Sequence, residues 1–144
     1  LGYDTIVELL YVLKSDVSAI SDGEPGFVTV TLKETIAWEK LYFTPGGGKW
    51  NEKTERTKSG LMFTQYIQVN CLRDTLSEWA DLNTLLTMPL LICLVFKNGN
   101  KLVGSLEKPV RLLISTDTSG GLGIEFSMKR DAMERAKWMT IDDL

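Results

Sequence analysis

Thr35-Ile36-Ala37-Trp38-Glu39-Lys40-Leu41-Tyr42-Phe43, followed after a polar interval by Leu61-Met62-Phe63-Thr64-Gln65-Tyr66-Ile67-Gln68-Val69, is the stretch whose reading decides the fold. Both runs are rich in β-branched and aromatic residues and alternate along their length, which predicts two strands. In the first, Ile36, Trp38, Lys40 and Tyr42 fall on one side and Ala37, Glu39, Leu41 and Phe43 on the other. Residues 44–60 lie between them. They begin Thr44-Pro45-Gly46-Gly47-Gly48-Lys49-Trp50 and continue in a charged run. Read this way, residues 44–60 form an arm far longer than an ordinary hairpin loop, and arms of that kind in compact domains carry function or stay disordered. Lys49, Lys53, Arg56 and Lys58 against Glu52 and Glu55 keep it solvated and locally basic. Trp50 is its one large aromatic. It either folds back on its own domain or docks on a partner, where Trp is enriched among the residues that dominate binding.

Outward from this centre, residues 5–18 fit both a helical spacing (Ile6, Leu9, Leu10, Leu13, Val17) and a strand built on Tyr11-Val12-Leu13, and the strand is preferred. Ser21-Asp22-Gly23-Glu24-Pro25-Gly26 reads as a turn and residues 27–32 as a strand. After the second run the periodicity changes. Leu72, Leu76, Trp79, Leu82, Leu85 and Leu86 recur at helical spacing over 74–87. Asp74 is placed to cap the helix, Glu78 lies in its early turns, and Pro89 closes it. Its apolar stripe is expected to pack on its own sheet. Residues 90–96 are apolar without alternation, which suits a strand buried on both faces. Asn98-Gly99 is a strong hairpin signal, with a return strand over 101–106. Residues 110–115 and 122–128 read as further strands, and the tail over 129–144 as a short helix or an arm crossing to a neighbouring subunit.

The chain has 144 residues, 44% of them hydrophobic and 24% charged, which suits a single domain over 1–144 with a real core. The expected fold is α+β and mainly β: an antiparallel β-sandwich or barrel of about seven to eight strands, one central helix and a long projecting hairpin loop. The net charge of -3 disfavours duplex nucleic acid as a partner. No apolar run reaches the roughly 18 residues that span a bilayer. Leu1-Gly2-Tyr3-Asp4 lacks the basic start of a signal peptide, so the product is expected in the cytoplasm.

Chemistry finds few candidates. There is no histidine, which removes the usual general base and the commonest metal ligand. Cys71 and Cys93 form no CxxC motif and are expected as reduced, buried thiols, with a Cys71–Cys93 bridge as the alternative. Gly46-Gly47-Gly48-Lys49 is followed by Trp50 rather than by Ser or Thr and a helix, so it does not meet the phosphate-loop pattern. Glu34, Glu39, Glu78 and Glu125 show no spacing that makes a catalytic pair. Asp142-Asp143 is a terminal acidic tip, too few oxygen ligands for a metal site. No cofactor or metal is expected, and the chain is read as non-enzymatic. Trp38, Tyr42, Phe63 and Tyr66, with the basic arm between them, supply the ingredients of an OB-type groove for single-stranded nucleic acid. That reading, or another monomeric binding module, is the alternative.

The composite of strands, one helix and one long arm resembles the tube and tube-associated proteins of long-tailed bacteriophages. Locally, residues 38–46 (Trp-Glu-Lys-Leu-Tyr-Phe-Thr-Pro-Gly), 59–65 (Ser-Gly-Leu-Met-Phe-Thr-Gln) and 102–111 (Leu-Val-Gly-Ser-Leu-Glu-Lys-Pro-Val-Arg) look like segments of prophage proteins found near tail genes in Bacteroides-type bacteria. The resemblance implies a structural role in a phage-tail-like element. Subunits would associate with copies of themselves or with other tail proteins through sheet edges and the arm, and would reside in the virion tail once assembled. Pro45, Lys49, Trp50, Lys53, Arg56 and Lys58 are the candidate partner-binding residues under that implication.

Overall fold

Residues 6–44, 46–71, 79–117 and 123–140 are described by the computed structural model, and they hold eleven strands and one α-helix. The fold is α+β and mainly β. The strands divide into a seven-stranded and a four-stranded sheet, and each sheet belongs to its own compact unit.

The first unit takes the described parts of Leu1–Tyr42, Met88–Val110 and Ala136–Leu144. Its strands are β1 (Glu8–Leu13), β2 (Val17–Asp22), β3 (Phe27–Leu32), β4 (Glu39–Leu41), β7 (Leu90–Phe96), β8 (Gly99–Val103) and β11 (Lys137–Thr140). They are ordered β2-β3-β11-β8-β7-β1-β4. The ambiguous first segment is two strands, broken by a 3-10 turn at Lys14–Asp16. Strand β7 is buried as its unbroken apolar run predicts, with Leu90 to Leu94 all at 0% exposure. It holds β1 on one side (Leu10 opposite Cys93) and β8 on the other (Cys93 opposite Leu102). The β7–β8 hairpin turns at Lys97 and Asn98, and Gly99 opens β8. One face of this sheet gathers Leu10, Val12, Val17, Val28, Leu91, Cys93, Leu102 and Met139 into a core.

The second unit takes the described parts of Phe43–Thr87 and Arg111–Arg135. It holds β5 (Gly48–Thr57), β6 (Gly60–Cys71), α1 (Trp79–Thr87), β9 (Leu113–Asp117) and β10 (Gly123–Ala132). The sheet order is β5-β6-β10-β9, antiparallel throughout. Helix α1 ends before Pro89 as expected, and Leu85 on its stripe is buried. The proposed cap at Asp74, with Glu78, lies outside the described residues, as does Asp142-Asp143.

Three expectations are corrected. The run over 35–43 is not one strand. Lys33 to Ile36 is a turn closed by the Ile36 N–H on the Lys33 carbonyl (3.1 Å), with Thr35 at a φ of 66°. Ile36 and Trp38 then pack on the first unit's core from irregular backbone, and only Glu39–Leu41 pairs, with β1. An apolar run can be buried without lying in a ladder, and here it is. Second, the arm is not a loop: most of it is β5, the partner of β6 along its whole length. Third, the tail is neither a helix nor an intersubunit arm where described. Its start prolongs β10, and β11 inserts between β3 (parallel) and β8 (antiparallel). The split first segment, the arm and the tail together raise the count to eleven strands.

Candidate functional site: the β5–β6 hairpin

A tight bend at 44–47 launches the hairpin. The Gly47 N–H reaches the Thr44 carbonyl (2.7 Å), and Asn70 ties both ends of the bend: its N–H donates to Gly47 and its carbonyl accepts from Thr44. Gly48 then starts β5, so a strand follows the glycines rather than the helix a phosphate loop requires. At the far end Lys58 and Ser59 make the turn, and the Thr57 hydroxyl accepts from the Ser59 N–H and donates to the Gly60 carbonyl. Gly60 sits at a φ of 117°, where a side chain would strain the backbone. Strand β10 pairs with β6 only as far as Ala132 opposite Phe63. Beyond that point the hairpin is a two-stranded ribbon, and residues 55–61 are exposed on both of its faces.

Alternation sorts the six sequence-predicted residues. Lys49 and Lys53 lie on the open face, with Asn51 and Glu55, opposite Gln68, Thr64, Tyr66 and Met62 of β6. Trp50 and Arg56 lie on the other face, opposite Ile67 and Leu61. Lys58 is in the turn, and Pro45 lies outside the described residues. The structure therefore puts Lys49 and Lys53 on one face and Trp50 and Arg56 on the other, spaced along the strand at about 3.3 Å per residue, and does not gather the six into one cluster. Trp50 is half-buried on the face that holds Phe63, Ile67 and Val69, so it packs on its own unit.

The open face carries Tyr66 between Asn51 on β5 and Lys129 on β10, and the Thr64 hydroxyl donates to Asp131 Oδ1 at 3.0 Å. Lys49, Lys53 and Lys129 share this face with Glu55 and Asp131. Phe63 and Tyr66 occupy opposite faces of β6, and Trp38 packs on the core of the first unit. The four aromatics that suggested a single-strand groove do not form one stacking platform.

The inner face holds a feature that sequence reasoning missed. Glu52, Gln65 and Arg130 stand directly opposite one another across β5, β6 and β10. Gln65 Nε2 donates to Glu52 Oε2 (2.8 Å), and Arg130 Nη1 donates to Gln65 Oε1. Gln65 is 1% exposed, the only buried polar residue among those described. Its neighbours on this face are Phe63, Ile67, Phe126 and Met128. One amide thus links a carboxylate to a guanidinium, accepting from the cation and donating to the anion. Burial lowers the proton affinity of Arg130 from its ordinary value, and the negative charge of Glu52 opposes that shift. The signal was present in the sequence: Gln65 occupies an apolar phase of β6, between Phe63 and Ile67.

Neither cysteine is joined in a disulfide, and Cys93 is buried as expected while Cys71 is only half-buried. Burial, with the charge of Glu8 adding to it, pushes the Cys93 thiol up from 9.0 to about 12, so it is a poor nucleophile. Among the described residues no cluster of three or more Cys, Asp or Glu side chains is placed to hold a metal ion, and no helix is long and apolar enough to cross a membrane. Comparison of the chain with protein-family models, curated proteins and solved structures finds no match.

Proposed function

We propose that this chain is a non-enzymatic assembly protein whose β5–β6 hairpin is its docking arm. The observation that carries the reading is the ribbon beyond Phe63. Its residues 55–61 are exposed on both faces and add nothing to the core of their unit. A regular ladder that serves no packing role is expensive to order and is suited to contact another chain. The sequence resemblance supplies the setting, a phage-tail-like element in which the chain associates with its own copies or with other tail subunits.

The test is solution mass against concentration, by light scattering, for the native chain and for one with residues 56–61 replaced by Asn-Gly. That replacement closes the hairpin on Glu55 and Met62, a pair of the same hydrogen-bonded type as Thr57 and Gly60. Larger species that form with concentration and disappear on trimming support the proposal. A monomer at every concentration, or assembly indifferent to trimming, overturns it.

A further inference from the structure

Strand β5 is the end strand of its sheet, so its outer edge carries main-chain groups that no described strand pairs. The hairpin fixes which residues these are. A two-residue turn closes on a hydrogen-bonded pair, here Thr57 and Gly60, and such pairs recur at every second residue. The Asn70 N–H on the Gly47 carbonyl, at 3.0 Å, shows the same phase at the other end. Odd-numbered residues of β5 therefore bond inward to β6, and the main-chain groups of Trp50, Glu52, Thr54 and Arg56 point outward.

Charged side chains on an edge ordinarily oppose pairing. Here they oppose every close two-fold register except one. We infer that β5 pairs antiparallel with β5 of a second copy of this chain, about a two-fold axis through Thr54. In that register Lys53 faces Glu55 of the other copy, and Glu52 faces Arg56, each twice by symmetry. Asn51 faces Thr57, and Trp50 lies alongside Lys58, a cation over an aromatic face. The outward main-chain groups of residues 52, 54 and 56 then meet their counterparts in the hydrogen-bonding phase. A shift of the axis to Lys53 or Glu55 sets identical charges face to face, and a shift to Glu52 or Arg56 does the same. Because residues of one parity share a face in both copies, the Lys53–Glu55 pairs lie on the open face and the Glu52–Arg56 pairs on the inner one. The contact is one strand wide, which makes a weak dimer that forms with concentration.

The inference rests on the assembly reading and names its partner. The test is sedimentation equilibrium from micromolar to millimolar chain, with three samples beside the native protein. Lys53→Glu sets a second carboxylate against Glu55 at both symmetry-related places, and Glu55→Lys sets a second ammonium against Lys53 at both. Each single variant is expected to weaken the dimer at least about tenfold. An equimolar mixture of the two restores opposite charges at all four positions and is expected to recover the native association as a heterodimer. Singles that dissociate and a mixture that re-forms establish the register. Native association unmoved by either change overturns the β5 pairing and leaves the assembly reading standing. A native chain that stays monomeric overturns both.

Discussion

Replacing Gln65 by Leu tests the polar row on the inner face most directly. The change keeps the volume, adds apolar surface to an apolar neighbourhood and removes one donor and one acceptor. Glu52 and Arg130 each lose a hydrogen bond, and a bond to a charged group contributes about 1.5–3 kcal/mol. Both ends are half-buried, so water compensates part of the loss. Leu in place of an amide returns about 1 kcal/mol through burial. The net expectation is a destabilisation of about 1–3 kcal/mol. The control is the triple variant Glu52→Met, Gln65→Leu, Arg130→Met, which removes the whole row. Replacement of a whole buried ionic set by apolar residues is commonly neutral or stabilising, so the triple should recover to within about 1 kcal/mol of the native chain. Urea unfolding followed by tryptophan fluorescence reads both, with Trp50 next to Glu52 on the hairpin. A Gln65→Leu variant as stable as the native chain would refute the reasoning. So would a triple variant no better than the single, since the cost would then lie in packing rather than in stranded charge.

Three further outcomes follow from the first unit. Gly104→Ala should cost about 2–5 kcal/mol by thermal unfolding, because Gly104 has a φ of 105° and an added Cβ would stand 2.9 Å from Leu91 Cδ2 and 3.1 Å from Val110 Cγ2. Thr35→Asn should gain about 0.5 kcal/mol, since the exposed Thr35 holds a left-handed conformation that Asn tolerates better; an unchanged melting temperature would refute this. Cys93 keeps its proton in the folded chain to about pH 12, whereas the unfolded thiol loses it above 9.0. The unfolded state then binds fewer protons, so stability falls as pH rises through that window, by up to about 1.4 kcal/mol per unit. Relative to Cys93→Val, the native chain should lose this increment above pH 9 in urea titrations, and a constant difference would sink the claim.

The sequence was legible where local pattern and tertiary role agree. Residues 90–96 are apolar at both phases because the strand has neighbours on both edges and is buried on both faces. Asn98-Gly99 marked the hairpin, although its two-residue turn falls at Lys97-Asn98 and Gly99 opens the return strand, which runs over Gly99–Val103 rather than 101–106. Reading failed where a strand's state is set by its partner rather than by its own pattern. Residues 48–57 alternate Trp50, Glu52, Thr54 and Arg56 against Lys49, Asn51, Lys53 and Glu55, and neither set looks like a core face. Their strand state comes from β6, whose own alternation was plain. The reverse error occurred at 35–43, where Ile36 and Trp38 are apolar because they cover a core, not because they join a ladder. Of the candidate residues, the open-face lysines and the tip were visible as charge. The Glu52–Gln65–Arg130 row was not, because its members are spread over three strands and become neighbours only in register.

The two halves of β5 answer to different forces. From Gly48 to Glu52 the strand is fixed by the bend at 44–47, by Trp50 on the apolar face and by the bond from Gln65 to Glu52. From Lys53 to Thr57 its surroundings are β6 and solvent. A two-stranded ribbon is marginal by itself in water, so the outer half depends on the inner half holding the register. The register also matters for association, since a slip of one residue would exchange the two faces and turn the main-chain groups of Glu52, Thr54 and Arg56 inward, away from a second copy. The polar row penalises that slip, because it parts Glu52 from Gln65. Loosening the row with Gln65→Leu should therefore weaken association as well as folding, although Gln65 lies on β6 and not on the pairing edge. The triple variant, stable but without Glu52, should keep the fold and still lose part of the dimer, because the Glu52–Arg56 pairs are gone. A dimer of full strength in the triple variant would mean that the edge charges do not set the pairing.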